Sequence, residues 1–477
     1  MKPEHYPLLL AKNIKPAGTM DVVAPYDRSI IATIDYANDK HIEQALQTAY
    51  ACYQDRSQWI PTPKRIAILE KVIKIMIEQH NYLATESARE GGKPLVDSLA
   101  EVTRAIDGIK ICIETLRTNS GEVIPMDYNA ASANRIAFTQ REPIGVVVAV
   151  SAFNHPVNLI VHQVGSAVAA GCPVIVKPAS DTPLSCMRMV EIFHQAGLPK
   201  EWCQAMVIED NNLATNLVAD ERVAFFSFIG SAKVGWMLRS KLAPGTRCAL
   251  EHGGVAPVIV DSDVDIAKVI PPLTKGGFYH AGQVCVSVQR VFVHESIAKT
   301  LAEQLANSAS QLRVGDPTRK DTDVGPIIRP QELKRIDEWV QEAIKQGAKV
   351  LCGAEAISET CYKPTVLFNP PDDATVSTHE IFGPVVCVYS CKSLDDAIER
   401  ANALPFAFQG AIFSNNLENA MHIYKNLAAS TIMLNDHTAF RVDGMPFAGL
   451  KHSGLGVGGI PYSIHDMQVE KMLVMKL

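Results

Sequence analysis

Short apolar runs alternate with amphipathic stretches from about residue 144 onward, and this alternation limits the possible folds more than any other feature. The first run, 144–150, is apolar throughout, and similar runs recur to the end of the chain. Continuous apolar runs are typical of strands that are buried on both faces of a parallel sheet. The sequence therefore predicts an α/β fold made of right-handed strand–helix–strand units.

The predicted elements fall into two groups. The first group has strands at 144–150, 173–176, 205–208, 224–229 and 247–250, with helices at 157–170, 182–196, 211–219 and 231–241. The second group has strands at 291–293, 349–351, 366–368, 411–413 and 431–434, with helices at 296–312 and 393–403. A chain of 477 residues suffices for roughly two to four domains, so each group can bury its own core.

Two segments belong to neither group. The polar residues 123–142 predict a protruding hairpin, and 468–475 reads as one exposed strand. An unpaired strand edge is prone to aggregate unless another segment covers it. Pairing with another subunit would cover it, and we therefore expect a homo-oligomer.

Composition and charge exclude several classes of protein. The formal net charge is −6, and the basic residues are scattered, unlike the basic patch that nucleic-acid binding requires. No apolar run approaches the roughly 18 residues of a membrane span, and the run 8–10 is too short for a signal-peptide core. Eleven cysteines without a Cys-x-x-Cys pair predict neither a disulfide scaffold nor a zinc site. We expect a cytoplasmic protein with no metal, nucleic-acid or membrane partner.

Cys285 and Glu251 are the strongest candidates for catalysis. Cys285 follows Gly282 and Gln283, and Glu251 stands just before Gly253 and Gly254. An ordinary thiol is only about 3% thiolate at pH 7, so a nucleophilic cysteine needs a nearby cation, dipole or base. The pair could attack a carbonyl and then release a thioester to water. The alternatives are a buried, inert cysteine and a surface glutamate at a turn.

Three further positions follow predicted strands. Asn154 comes after 144–150 and could donate to an oxyanion, although, taken alone, a helix N-cap before Pro156 explains it better. Gly230 and Ser231 begin a Gly-x-x-x-x-Gly turn that opens a helix and could bind an anion. Lys177 could hold a ribose or phosphate, or it could be a strand-end lysine without a function.

The order of these motifs resembles that of the NAD(P)-dependent aldehyde dehydrogenase superfamily, from about residue 20 to the C-terminus. The motifs are Asn154, Lys177-Pro178, Gly230-Ser231 with Gly235, Glu251 with Gly253-Gly254, Gly282-Gln283 with Cys285, Glu380-Ile381-Phe382-Gly383-Pro384 and Pro446-Phe447-Ala448-Gly449. The resemblance implies a Rossmann-like cofactor domain, an α/β catalytic domain and a small β oligomerisation arm. It places them at 1–122 with 143–250, at 251–440, and at 123–142 with 460–477.

The resemblance also assigns roles. Cys285 is similar to the family's nucleophile, Glu251 to its general base, and Asn154 to its oxyanion donor, with the Cys285 N–H as second donor. The cofactor contacts that it implies are Lys177, Ser180, Gly230, Ser231, Gly235, Glu380 and Phe382. The implied reaction is attack of the thiolate on an aldehyde, hydride transfer to the nicotinamide and hydrolysis of the thioester. A coenzyme-A-acylating enzyme would need no base at Glu251. A dimer or a tetramer is implied.

The cofactor motif departs from the usual family pattern at Ser180. The usual residue there is a glutamate, which accepts from the ribose 2′-OH and would repel a 2′-phosphate. Serine removes this repulsion. We therefore expect NAD as cofactor, with NADP tolerated beside it.

The substrate side departs from the pattern as well. His155 replaces an aromatic residue, and Arg104 and Arg441 fall where the family lines its substrate funnel. These residues predict an anionic aldehyde, because arginine binds phosphonate, sulfonate and carboxylate alike. The alternative is that both arginines pair with acids such as Asp443.

The same subset of motifs resembles the phosphonoacetaldehyde dehydrogenase branch. Sulfonated aldehydes, lactaldehyde and glyceraldehyde phosphate are competing substrates, and a general aldehyde dehydrogenase is also open. A catalytically silent homologue and a thioester hydrolase are the alternatives from other classes.

Overall fold

Two mostly parallel sheets organise the chain, as the alternation of strands and helices predicts. The computed structural model describes residues 4–477. The strands are β1 (Glu4–Tyr6), β2 (Gly18–Val23), β3 (Ile30–Tyr36), β4 (Val123–Ile124), β5 (Arg135–Pro143), β6 (Val146–Val150), β7 (Val174–Lys177), β8 (Cys203–Ala205), β9 (Val223–Ile229), β10 (Arg247–Glu251), β11 (Pro257–Val260), β12 (Arg290–His294), β13 (Lys349–Cys352), β14 (Thr365–Phe368), β15 (Val385–Cys391), β16 (Phe406–Ala407), β17 (Gln409–Phe413), β18 (Thr431–Leu434), β19 (Leu450–Lys451), β20 (Gly454–Leu455) and β21 (Gln468–Lys476).

The helices pack on the faces of these sheets. They are α1 (Asp39–Gln54), α2 (Thr62–Glu78), α3 (His80–Gly91), α4 (Leu95–Thr118), α5 (Asn158–Ile160), α6 (Ser166–Ala170), α7 (Pro183–Gln195), α8 (Asn211–Ala219), α9 (Ala232–Arg239), α10 (Ile266–Phe278), α11 (Glu295–Ser310), α12 (Pro330–Lys345), α13 (Thr375–Thr378), α14 (Leu394–Asn402), α15 (Leu417–Asn426) and α16 (Ile460–Asp466). One π-helical turn, Val161–Gly165, joins α5 to α6.

The first sheet has six strands in the order β20-β10-β9-β6-β7-β8. Its strands run parallel except β20, which pairs antiparallel with β10. Strand β6 reads Val-Val-Val-Ala-Val, and its first four residues are fully buried because helices cover both faces of the sheet. The third predicted strand lies slightly earlier than expected: β8 ends at Ala205, and Val207 forms only an isolated bridge to Tyr36.

The second sheet has seven strands in the order β13-β14-β15-β12-β11-β17-β18. All of them are parallel except β13, which pairs antiparallel with β14. A separate apolar core surrounds this sheet, and it includes Val258, Phe292 and Val386. The α/β fold class is therefore confirmed, while the predicted domain boundaries stay a prediction.

The arm differs from its prediction in two respects. Strand β21 is paired, because Gln468–Lys476 runs antiparallel to Pro143–Arg135 of the same chain. The expected arm segment 460–477 also divides: helix α16 packs against α4 and α6, and Ile460 and Ile464 belong to the first core. Strand β21 still has one open edge, since the order of this sheet is β21-β5-β4.

The parallel order of the first sheet determines where the candidate residues meet. Strands β6, β9 and β10 are neighbours and run in the same direction, so their carboxyl ends lie at one edge. Asn154 and Gly230 follow β6 and β9, and Glu251 ends β10. This edge of a sheet is where ligands bind in open α/β folds.

Two kinds of feature, a membrane-spanning helix and a cluster of metal-binding side chains, are absent from residues 4–477. None of the helices described is long and apolar enough to cross a membrane. In the same part of the chain, no group of three or more His, Cys, Asp or Glu side chains is arranged to hold a metal ion.

Candidate active site

The predicted catalytic residues line one cleft between the two sheets. This central cleft also contains most of the predicted cofactor and substrate contacts: its lining includes Arg104, Asn154, His155, Gly230, Ser231, Glu251, Cys285, Glu380, Phe382 and Arg441. Lys177, Ser180 and Gly235 are not part of this lining. The structure thus brings together residues that are far apart in the chain.

A left-handed stretch of backbone presents Cys285. His280, Ala281 and Gly282 have φ values of 50°, 54° and 70°, and a Cβ at Gly282 would overlap the backbone of Gly383. The Gln283 side chain fixes the next residue, because its Nε2 donates to the Pro326 carbonyl at 3.1 Å and its Oε1 accepts from the Ile328 N–H at 3.0 Å. Glycine at 282 is therefore required by both its φ and its close contact.

The surroundings of Cys285 disfavour its thiolate form. Its pKa is raised to about 12, chiefly by burial and to a smaller extent by the neighbouring carboxylates Glu380 and Glu251. The guanidinium of Arg441 acts in the opposite direction and favours the thiolate. A nucleophilic Cys285 therefore requires a base or the positive charge of Arg441.

Asn154 does not cap a helix. Helix α5 begins four residues later, and no side chain of the preceding residues caps it. The Asn154 side chain is almost fully buried, and its Nδ2 donates to the Gln283 carbonyl at 3.0 Å. The amide therefore stands directly beside the cysteine loop, where an oxyanion donor is required.

The helix start is instead capped by a buried acid that the sequence analysis missed. Glu101 accepts from the N–H groups of Val157 and Asn158 at 3.0 and 2.9 Å. Its other oxygen pairs with Lys93, whose Nζ also donates to the Asn154 carbonyl at 2.9 Å. Both charged side chains are completely buried. The only local signal was a lysine between Gly92 and Pro94, and such a pattern does not reveal burial.

Glu251 lies beside Gly458, which follows strand β20 near the C-terminus. A Cβ at Gly458 would overlap its Oε1, so the carboxylate occupies a niche that only glycine leaves open. The backbone of Glu251 is held by the Gly230 N–H, which donates to its carbonyl at 3.0 Å. Against the effect of burial, the Glu251 carboxylate raises the pKa of Arg441, and both side chains line the cleft.

Arg441 is a buried guanidinium with few partners. Its Cζ lies 3.5 Å from the centre of the Phe447 ring, and its side chain is 10% exposed. Among the residues described, its Nε has no hydrogen-bond partner, and the nearest carboxylate oxygen, on Asp443, is 3.9 Å away. Burial lowers the pKa of Arg441, as expected for a cation without a close counter-ion.

The other two predicted substrate contacts, Arg104 and His155, also line the cleft, and each has a partner within the protein. The Nε and Nη2 of Arg104 donate to both oxygens of Asp443 at 3.1 and 2.8 Å, as the alternative interpretation expected, although Asp443 is buried and not a surface acid. His155 lines the cleft without a charge. Its burial, followed by the charge of Lys93, holds its pKa well below the ordinary value, and its Nε2 lies 3.2 Å from the Tyr279 hydroxyl.

One end of the cleft fits a nucleotide. Gly230 and Ser231 stand at the N-terminus of α9, where backbone N–H groups attract anions. Glu380 packs against Gly253, and its Oε1 is buried with no partner among the residues described. Burial raises the pKa of Glu380 to about 8, with Arg335 opposing. A buried acceptor without a donor is suited to a ribose hydroxyl.

The remaining cofactor predictions have different outcomes in the structure. The Nζ of Lys177 donates to the Pro178 carbonyl at 3.3 Å, and burial lowers its pKa, with Asp181 opposing. Ser180 is exposed, so a ligand can reach it. Gly235 packs under the ring of His252, where a Cβ would overlap Nε2. Gly235 is therefore needed for packing and does not line the cleft.

Comparison with known proteins identifies the family. The pattern that defines the Aldehyde dehydrogenase family matches residues 13–473. The chain belongs to the aldehyde dehydrogenase family. It is an oxidoreductase that acts on aldehydes with NAD(P), as the resemblance of its motifs implied.

Several relatives of this aldehyde dehydrogenase have more specific names. The 3-sulfolactaldehyde dehydrogenase of Priestia megaterium is 35% identical over 462 residues, which are 97% of this chain and 96% of the relative. The lactaldehyde dehydrogenase of Methanocaldococcus jannaschii is 34% identical over 459 residues, covering 95% and 97%.

Solved structures of other members have the same fold. Aldehyde dehydrogenase 21 from Physcomitrella patens, in complex with the reaction product succinate, has a TM-score of 0.95 at 34% identity, covering 100% of this chain and 99% of that one. Glyceraldehyde-3-phosphate dehydrogenase GapN from Methanocaldococcus jannaschii, complexed with NADP, has a TM-score of 0.92 at 33% identity, covering 96% and 99%.

Proposed function

We propose that this aldehyde dehydrogenase oxidises a small aldehyde with an anionic tail to the corresponding carboxylate. The observation that carries the proposal is the position of Arg441. Its guanidinium is nine-tenths buried, lines the same cleft as Cys285, and has no carboxylate within hydrogen-bonding distance among the residues described. An arginine in this state is suited to bind a planar or tetrahedral oxyanion through two of its N–H groups.

Cys285 is the proposed nucleophile. Its thiolate sulfur attacks the aldehyde carbon, and the carbonyl oxygen becomes the oxyanion of a thiohemiacetal. The Asn154 side chain beside the cysteine loop and the Cys285 N–H donate to that oxygen, and one such donor typically contributes about 100- to 1000-fold in rate. Loss of hydride from the carbon then leaves a thioester on Cys285.

Glu251 is the proposed base for the second half of the reaction. It takes a proton from a water molecule, which attacks the thioester carbon, and the carbon–sulfur bond breaks to give the carboxylate and the free cysteine. The close packing of the carboxylate against Gly458 gives it a fixed place in the cleft that Cys285 also lines. A base in this position supports hydrolysis and not transfer to coenzyme A.

The cofactor end of the cleft supports binding of NAD or NADP. Gly230 and Ser231 would hold the pyrophosphate, Glu380 the nicotinamide ribose, Phe382 the ring, and Lys177 the adenosine ribose. When bound, the nicotinamide supplies the acceptor for the hydride. Exposed Ser180 has no charge to repel a 2′-phosphate, which supports the use of NADP beside NAD.

Several anionic aldehydes fit this proposal. The motifs around Asn154 and Arg441 support phosphonoacetaldehyde, and two relatives support 3-sulfolactaldehyde and glyceraldehyde 3-phosphate. The lactaldehyde dehydrogenase relative supports instead a neutral aldehyde of similar length, which the neutral arm of the substrate panel tests. The succinate complex of a 34% identical structure supports an aldehyde with a carboxylate tail.

A substrate panel tests the proposal. NAD(P)H formation is followed by absorbance with neutral, carboxylated, sulfonated and phosphonated aldehydes, for the natural enzyme and for Arg441→Ala. We expect kcat/KM to be highest for an anionic aldehyde and the variant to lose that preference. Its kcat/KM should fall for every aldehyde, because Arg441 also favours the Cys285 thiolate, and should fall further for the anionic ones. Equal kcat/KM for neutral and anionic aldehydes in the natural enzyme would overturn the anionic substrate.

We also propose a homodimer or homotetramer built through the arm. The outer edge of β21 lies open, and Met472, Leu473 and Val474 on it are exposed. An apolar edge strand of this length favours pairing with a second copy. Light scattering of the purified enzyme measures the mass, and a monomer would contradict the proposal.

A further inference from the structure

A buried acid organises the arginines of the substrate funnel. Asp443 is 2% exposed, and it accepts from both Nε and Nη2 of Arg104 and from Asn158 Nδ2 at 3.0 Å. His162 Nε2 lies 2.7 Å from the same carboxylate, in the π-helical turn that joins α5 to α6. Arg441 stands 3.9 Å away. We call Arg104, Asp443 and Arg441 the tail triad.

The hydrogen bonds also determine the state of His162. Its Nδ1 lies 3.4 Å from Nη2 of Arg441, and a guanidinium can only donate. In this contact the Nδ1 accepts, and the Nε2–H points at Asp443. Burial alone would raise the pKa of Asp443, but the hydrogen bond from His162 and the charge of Arg104 hold it well below the ordinary value. The acid is therefore ionised.

The tail triad carries one net positive charge. Its two guanidinium groups contribute two positive charges, and the Asp443 carboxylate removes one of them. His155 adds none, because burial and the nearby Lys93 keep it neutral. Within the tail triad, the Asp443 carboxylate is the one negative charge, and it repels a ligand tail with two negative charges more strongly than a tail with one.

We infer that Asp443 is a specificity-determining residue that selects aldehydes with a singly charged tail, a sulfonate or carboxylate, over those with a doubly charged tail, a phosphonate or phosphate. The inference rests on the proposed function, since it assumes that the tail of the substrate lies at Arg441. It assigns the choice among anions to a residue that does not need to touch the substrate. Removal of the Asp443 charge favours a dianion more than a monoanion, because the electrostatic energy scales with the charge of the ligand.

A matched pair of substrates isolates charge from shape. Sulfoacetaldehyde and phosphonoacetaldehyde have the same two-carbon chain and a tetrahedral head group with three oxygens. At a pH of about 8.5 the phosphonate carries two negative charges, since phosphorus oxyanions of this class lose the second proton at about pH 6 to 7. The sulfonate carries one negative charge. Propionaldehyde serves as the neutral control.

The experiment compares the ratio of kcat/KM for phosphonoacetaldehyde to that for sulfoacetaldehyde in four enzymes. Asp443→Asn, which is isosteric, is expected to raise the ratio by about tenfold. Arg104→Gln removes a positive charge and is expected to lower the ratio by about tenfold. The double variant restores the natural net charge, and its ratio is expected to return to within about threefold of the natural value. Glu251 keeps its charge in all four enzymes, so its field cancels in the comparison.

The outcomes separate the two proposals. If propionaldehyde is used as well as both anions by the natural enzyme, the anionic substrate fails, and the selection by Asp443 fails with it. If the anions are preferred but neither single variant changes the ratio, only the inference about Asp443 fails. A merely structural role would lower both rates and leave the ratio unchanged. Thermal melting shows whether each variant folds, and if Asp443→Asn does not fold, Arg104→Gln and the double variant still test the direction of the change.

Discussion

The carboxylate of Glu251 packs so closely against the backbone of Gly458 that a Cβ at position 458 would overlap its Oε1. The N–H and carbonyl of Gly458 both pair with Phe447, at 2.8 and 2.9 Å, so this backbone is fixed. Strand β20 of the same segment pairs with β10, which ends at Glu251. The C-terminal segment therefore shapes the position of the proposed base.

Glu251→Gln is expected to separate the two halves of the reaction. The first turnover needs only Cys285 and the oxyanion donors, whereas release of the product needs the base. We expect a burst of about one equivalent of NAD(P)H per active site, followed by a steady rate that is about 100- to 10,000-fold slower than in the natural enzyme. Rapid mixing with absorbance detection measures both phases. Gly458→Ala keeps the base but displaces it, so this variant should slow the second phase less than Glu251→Gln does. A slow steady rate without a burst would contradict this assignment.

Arg441→Met is expected to make Cys285 less acidic. Burial has already raised the pKa of the thiol to about 12, and the positive charge of Arg441 lowers it. The thiolate fraction rises with pH through this pKa, so loss of Arg441 should shift the pH dependence of iodoacetamide labelling to higher pH. Mass spectrometry of the labelled Cys285 peptide measures the rate at each pH. Arg104 pairs with Asp443, so its positive charge is already balanced. Arg104→Met should therefore shift the labelling profile less than Arg441→Met. Identical profiles for all three enzymes would contradict the prediction.

Glu380 is expected to release a proton when the cofactor binds. Its burial raises its pKa to about 8, so the free enzyme holds it largely protonated at pH 7. A ribose hydroxyl that donates to the carboxylate lowers that pKa, and the proton leaves. Titration calorimetry in two buffers with different ionisation enthalpies measures this release, and Glu380→Gln should abolish it.

The same group affects the stability of the free enzyme. Because the pKa of Glu380 is raised on folding, its stabilising contribution is complete below its unfolded value and is lost as the pH rises toward 8. Glu380→Gln should therefore gain stability relative to the natural enzyme at pH 9, by on the order of 3 kcal/mol, and not at pH 4.5. Urea unfolding at both pH values tests the sign.

Lys93 and Glu101 are expected to act on Asn154 as positioning residues. Lys93→Met leaves Glu101 buried without a counter-ion, which typically costs about 3 to 5 kcal/mol of stability. The double variant Lys93→Met with Glu101→Met removes both charges, and we expect most of that stability to return. Its kcat should remain about tenfold lower or more, with KM little changed, because the backbone at 154–158 loses its partners. Recovery of both stability and kcat would show that the pair serves folding alone.

Ser180→Glu is expected to shift the choice of cofactor. The introduced carboxylate can accept from a ribose 2′-OH and repels a 2′-phosphate. The ratio of kcat/KM with NADP to that with NAD should fall by about tenfold or more. Ser180→Gln, a neutral residue of the same length, is the matched control and should change the ratio much less. An unchanged ratio in Ser180→Glu would exclude this residue from the choice of cofactor.

Local patterns predicted the fold well because they report burial directly. The run 144–150 could only be a strand buried on both faces, and β6 is one. Asp210 caps α8 by accepting a hydrogen bond of 2.8 Å from the Asn212 N–H, and α8 begins at 211 as predicted. Asn416 caps α15 in the same way, by a bond of 2.9 Å. The prediction for the arm was less complete: the C-terminal strand was expected, but its pairing with β5 was not. The reason is that β5 lies more than 300 residues earlier in the chain, and no local pattern specifies such a pairing.

The sequence by itself determined the α/β class, the aldehyde dehydrogenase family and the set of residues from which the site is built. Those follow from periodicity and from motifs that read along the chain. Only the tertiary structure decided the charge of the substrate funnel. Arg104 and Asp443 are 339 positions apart and form an ion pair whose carboxylate is buried, and burial disfavours the charged form of His155. Burial and long-range pairing determine whether a side chain carries a charge that a ligand can use, and no local pattern contains either of them.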